Sequence, residues 1–196
     1  MRTFLKLFTV ALAILALAFT SPVSEPVSKS VDLKASQIGW KGYKVLGSHT
    51  GNIGLKSGQL DFRDEVLIGG NFEIDMNSIT CTDLSGGTAD KLVGHLKSDD
   101  FFGVTKYPVA KFMITNVVPN GVNRYKVSGT LTIKEKSKTV KFIADVKEEA
   151  GRSAATASIQ VDRSDFDVRF GSGSFFDSLG DKTIYDEFDL EVKLVF

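Results

Sequence analysis

The chain has one cysteine, one tryptophan, two histidines and four prolines in 196 residues, and most of these scarcities remove a class of chemistry. Cys81 has no partner within the chain, so no internal disulfide can form and the core must supply the stability. It sits among Thr80, Thr82 and Asp83 with no adjacent cation to favour a thiolate, and reads as an ordinary small residue. His49 and His95 show no HxH or HxxxH spacing and no CxxC is present, so a metal site lacks its usual scaffold. Neither a GxSxG elbow nor a phosphate-binding glycine loop occurs. We therefore expect a protein that is not an enzyme and holds no metal or cofactor. Charge is in excess with neither sign, 24 Lys and Arg standing against 24 Asp and Glu. Such a balance gives no electrostatic reason to hold nucleic acid.

Long apolar runs are missing except at the start. Arg2 and Lys6 precede an apolar stretch over residues 7–19 that carries Ala-Leu-Ala at 16–18. It is shorter than the about 20 residues a transmembrane helix needs, and its small-residue end suits signal peptidase. The expectation is a signal peptide over residues 1–18, with cleavage between 18 and 21, then a Ser- and Pro-rich flexible lead-in over 19–30 and one domain over 31–196. Cleavage would remove Arg2 and Lys6 and leave 22 basic against 24 acidic side chains, a net charge near −2. A periplasmic or secreted location, without stable membrane insertion after cleavage, is the matching expectation.

What the chain does have is 15 phenylalanines and sustained period-2 alternation. Val31 and Leu33 are expected to open a first strand that continues, or kinks near Ser36, into Ile38 and Trp40. Residues 47–54 read as a Gly-rich turn around His49, and Asp64-Glu65 as another turn. Phe72, Ile74 and Met76 alternate with Glu73 and Asp75, the mark of a half-buried strand. Asn120-Gly121 predicts a hairpin. After it Tyr125, Val127, Gly129, Leu131 and Ile133 share one face; Val140, Phe142, Ala144 and Val146 another. Ala155, Ala157, Ile159 and Val161 form a face that begins unusually small and leaves room for something. Phe188, Leu190, Val192, Leu194 and Phe196 close the series. About eight antiparallel strands in meander order avoid exposed edges by closing on themselves. An eight-stranded barrel is just wide enough to be filled by side chains or to hold one small ligand, and periodicity alone leaves both open.

Residues 91–112, KLVGHLKSDDFFGVTKYPVAKF, break this pattern. Leu92, His95 and Leu96 fall at i, i+3 and i+4 on one helical face, with Thr88 as candidate N-cap; Asp99, Asp100 and Gly103 stop the helix. His95 is expected to pack at the core or rim with a hydrogen-bond partner. Of the adjacent rings Phe101 and Phe102, at least one must turn inward, since burying each is worth roughly 2–3 kcal/mol. Pro108 then forces Tyr107 into an extended conformation and starts a strand.

With these residues in place, the mature chain resembles the YceI-like family of exported bacterial proteins. The match runs through Trp40, His49 with Gly51, Gly70-Asn71-Phe72, residues 74–79 and then Lys91-Leu92. It continues through Gly94-His95-Leu96-Lys97-Ser98, Phe101-Phe102, Tyr107-Pro108, residues 129–133, Asp162-Arg163 with Phe166, and Leu179-Gly180-Asp181 ahead of Ile184 and Asp186. The resemblance implies an all-β fold, an antiparallel eight-stranded lipocalin-like barrel with one short helical insertion near residues 88–98, and binding of a polyisoprenoid lipid. Two positions depart from the family, which usually has glycine where this chain has Glu135 and near Asp167.

Those implications turn the apolar faces into a candidate lining. It comprises Trp40, Phe72, Ile74, Phe101, Phe102, Phe112, Leu131, Ile133, Phe142, Ile159, Phe188 and Leu190. His49, Arg163 and Arg169 form a candidate polar rim, although a charge cluster such as Asp162, Arg163, Asp165, Asp167 and Arg169 is more often an ion-paired loop. The partner expected is a polyisoprenoid or quinone-like lipid, a prenyl phosphate included, with a homodimer left open. The rival expectation is a structural, interaction or stress-related barrel whose interior is filled by its own side chains.

Overall fold

The computed structural model describes residues 24–149 and 151–196, so the expected signal peptide and the first residues of the lead-in lie outside the described residues. Among the described residues are nine strands: β1 (Val27–Ser30), β2 (Gln37–Lys44), β3 (Gly47–Arg63), β4 (Val66–Cys81), β5 (Val109–Pro119), β6 (Arg124–Ile133), β7 (Lys136–Glu149), β8 (Arg152–Asp162) and β9 (Ile184–Val195). One α-helix, α1 (Gly86–Lys97), joins β4 to β5. Each strand from β2 to β9 pairs antiparallel with the next, and β9 pairs back onto β2, for example Ile38 with Val192. The eight-stranded barrel is therefore closed, and β1 lies outside the ring on the second half of β3. Residues 27–30, expected in a flexible lead-in, are thus ordered by ladder pairing, Val27 opposite Phe62.

Two further expectations are corrected early in the chain. Val31 does not open a strand: residues 31–36 form a turn across the barrel base, where Val31 is buried but Leu33 is exposed. Asp32 holds this strap by accepting the Lys34 and Ala35 N–H groups and pairing with Arg152 at 2.7 Å, while its own N–H donates to Val195 O. Residues 47–54 are not a turn but the start of β3, with His49 opposite Gly42; the chain reverses at Val45-Leu46 instead. Glycine there serves close strand approach, since a Cβ on Gly51 would sit 1.8 Å from Thr80 O.

At the base, Val31, Leu60, Phe62, Leu67, Tyr125, Val127 and Leu194 form one buried cluster, with Phe62 stacked on Phe196 at 5.5 Å. At the other end Met76, Ile79, Phe101, Val104, Ile133, Phe166 and Val168 form a second. A bulge builds the support for α1. The β3–β4 register jumps from Asn52↔Thr80 to Gly54↔Asp75, leaving residues 76–79 looped, and Lys97 Nζ donates to Asn77 O at 2.7 Å. The helix starts at Gly86 after Ser85, so Thr88 lies inside its first turn rather than capping it. β7 and β8 pair only over residues 144–149 and 152–157, and above that a short 3₁₀ turn, Arg163–Phe166, packs against β7, fixed by Lys138–Asp165 at 2.8 Å.

Candidate functional site

Between the two clusters lies a cavity of about 280 Å³, lined almost entirely by apolar atoms. It is nearly twice the ~150 Å³ of an engineered cavity that admits benzene and approaches the ~300 Å³ at which ligand pockets begin. Its wall explains an oddity of burial. Phe112, Phe142, Ile159, Phe188 and Leu190 point inward yet are only half-buried, because part of each side chain faces open space. Rings from three strands line one side, Phe72 to Phe112 at 6.3 Å and Phe112 to Phe142 at 5.7 Å. Beside β7, β8 contributes Ala155 and Ala157, whose small side chains leave the volume unfilled.

All twelve residues expected on the apolar wall line this one cavity. Phe101 and Phe102 both turn inward, their rings 5.5 Å apart and inclined at 65°. Sequence reasoning missed Ile38, Ile53, Leu55 and Ile114, which belong to the same period-2 faces, Ile79, which the β4 bulge turns inward against the strand's parity, and His95, whose helical face with Leu92 and Leu96 was the available signal.

The mouth is built by α1 and residues 163–183. No residue of α1 is buried; Leu92, His95 and Leu96 face the cavity. The His95 ring packs edge-on against Phe170 at 4.3 Å and Phe101 at 5.6 Å, an aromatic setting rather than the polar partner expected. Exposed Lys44 and Tyr185 belong to the lining where the cavity reaches the surface.

The three candidate rim residues separate. Arg163 lines the cavity but is 2% exposed, donating to Tyr185 O, Val168 O and Ile184 O at 2.8–3.1 Å, and lies 3.2 Å from Asp186 Oδ1. Burial lowers its pKa, opposed by Asp186 and Asp162. Its guanidinium sits 5.2 Å from the Phe101 ring centroid, tying the residue 163–183 segment to the phenylalanine pair. His49 lines the mouth, its Nδ1 2.9 Å from Asp83 Oδ2. Desolvation pushes the Asp83 carboxyl up, but the Thr50 N–H, the His49 ring and the Cys81 thiol outweigh it and bring the pKa to about 2. Arg169 is corrected: it is exposed, pairs with Asp167, stacks over Phe175 and does not line the cavity. The surrounding charges scaffold the turn, with Asp162 accepting the Ser164 N–H at 2.8 Å.

The closed barrel, the helix inserted between β4 and β5 and the apolar interior invite comparison with known proteins. The model of the YceI-like domain matches residues 30–196. The chain belongs to the YceI-like family. Among its YceI-like relatives is a UPF0312 protein of Vibrio parahaemolyticus, 26% identical over 155 residues, which span 76% of this chain and 77% of that protein. BcnA of Burkholderia cenocepacia has a similar structure, with a TM-score of 0.69 and 26% identity over 85% of this chain and 99% of that one. A polyisoprenoid binding domain from Saccharophagus degradans, implicated in plant cell wall breakdown, shares the fold with a TM-score of 0.63 and 17% identity over 85% of this chain and 95% of its own.

Proposed function

We propose that this YceI-like protein is an exported carrier that holds a polyisoprenoid or similar long apolar lipid inside its barrel, for storage or transport. The observation that carries the reading is the continuous apolar cavity, open at a mouth with few polar groups. A prenyl chain has almost no polar atoms, so its affinity would come from area removed from water. Each 100 Å² contributes about 2.5 kcal/mol before the costs of association. No catalytic group is needed for that. A prenyl phosphate or quinone head would rest at the mouth beside His49 and Lys44, and the leader expected over residues 1–18 would export the chain. The cavity weighs against the rival barrel with a filled interior, and the polyisoprenoid binding domain with the same fold lends the ligand class.

Trp40 supplies the test, because it is the chain's sole tryptophan and lines the cavity. Titration with geranylgeraniol should shift its emission saturably. Unchanged emission, with no lipid retained on gel filtration, would reject the reading.

A further inference from the structure

Glycine in the middle of a paired strand is a net cost, because it loses more chain freedom than other residues and packs nothing, so its presence asks for a close neighbour. On the inward face of β6 Tyr125, Val127, Leu131 and Ile133 carry side chains, and Gly129 alone leaves a gap. The gap is filled from β5. A Cβ on Gly129 would lie 2.2 Å from Phe112 Cζ and 2.4 Å from Cε2, distances that real contacts do not reach. Phe112 thus lies flat against the barrel wall over Gly129 instead of standing up into the lumen. A second seat repeats the device one strand pair away, where a Cβ on Gly58 would lie 2.8 Å from Phe72 Cδ1.

The position of Phe112 gives the seat its consequence. Its side chain packs against both the base cluster and the mouth cluster, so it stands where the two halves of the cavity meet. We infer that the Phe112–Gly129 pair sets how deep a lipid chain can enter, and hence the longest chain the barrel accepts. With the ring seated over Gly129 the chain passes from the mouth to the Leu60 and Leu67 end; with a side chain at position 129 the ring is pushed into the passage and only the mouth half remains. The inference rests on the lipid-carrier reading above and adds a length limit to it.

The test compares Gly129→Ala with the unmodified protein against geraniol, geranylgeraniol and solanesol, which contain two, four and nine isoprene units. Geraniol affinity should stay within about threefold while solanesol affinity drops about tenfold or more, and Phe112→Leu added to Gly129→Ala should restore long-chain binding. Because a Cβ on Gly129 also comes 2.8 Å from Met113 O, Gly58→Ala serves as a milder second probe, whose Cβ has its nearest neighbours in the Phe72 and Val31 side chains, and should shorten the accepted chain in the same direction. If the unmodified protein binds all three alcohols and both variants keep its length profile, the seat inference is overturned. If the unmodified protein binds none of them, the carrier reading itself fails.

Discussion

The two ends of the barrel are made from the same alternating strands yet are closed by different physics. At the base, closure is apolar: Phe62 stacks on Phe196, Val31 folds in beneath them, and the residue 31–36 strap is latched to Val195 and Arg152. At the mouth a buried apolar cluster that includes Phe101, Phe166 and Val168 is present as well, and polar anchors hold the segments around it. α1 buries none of its residues, Lys134 Nζ holds Phe101 O at 3.0 Å and Asp167 O at 3.2 Å, and Arg163 clamps three carbonyls. An end sealed by buried area opens only with the fold, whereas α1, which buries no residue over the cavity, can part from it locally. The base therefore supplies stability and the mouth supplies access.

That contrast can be broken from either side. The largest effect is expected for Arg163→Met, which leaves the half-buried Asp186 without its cation and three carbonyls without their donor; unfolding in urea should show a loss of roughly 3–5 kcal/mol, and a loss below about 1 would remove Arg163 as the anchor. Phe62→Ala should cost about 3 kcal/mol in the same assay while leaving geranylgeraniol affinity unchanged, because Phe62 packs the base and does not line the cavity. Phe102→Ala should do the reverse. Its ring already faces open space, so truncation enlarges an existing void, costs about 1 kcal/mol and speeds lipid release measured by stopped-flow Trp40 fluorescence. Equal losses of stability and retention would make Phe102 ordinary core.

The smallest effect is on acid stability, and it touches both ends alike. The folded pKa of Asp83 is about 2 against an ordinary 3.8, so its contribution is present above about pH 4 and fades as pH falls through 2. Asp32, lowered chiefly by Arg152, acts in the same direction. Asp83→Asn should flatten the acid side of a stability–pH curve; an unchanged slope would show that its contacts are not felt in folding.

Much of this was legible in the sequence because strand alternation reports which side chains share a face, and a closed barrel turns shared faces into one interior. Tyr125, Val127, Leu131 and Ile133 fell together for that reason. Whether the interior is hollow was not legible, since a lined cavity and a packed core use the same residue types; the alanines of β8 were the visible hint. Turn geometry was legible through departures from the family. The structure places Glu135 and Asp167 both at φ 61°, a conformation that glycine adopts more easily, which fits the two places where the chain departs from the family's usual glycine. Arg169 was misplaced and Arg163 only half understood because a charge run says nothing of which member the fold will bury. The glycine seats at 51, 58 and 129 were present as strand-interior glycines, but the rings that lie over them come from neighbouring strands that no local pattern connects.

The central claim is that the cavity holds lipid. The direct measurement is native mass spectrometry of protein purified without detergent from the cells that make it, followed by extraction and identification of what it carries. One prenyl lipid bound per barrel, lost on denaturation and regained when the lipid is added back, is the predicted result. Protein that repeatedly emerges empty and takes up no added prenyl lipid would contradict the account.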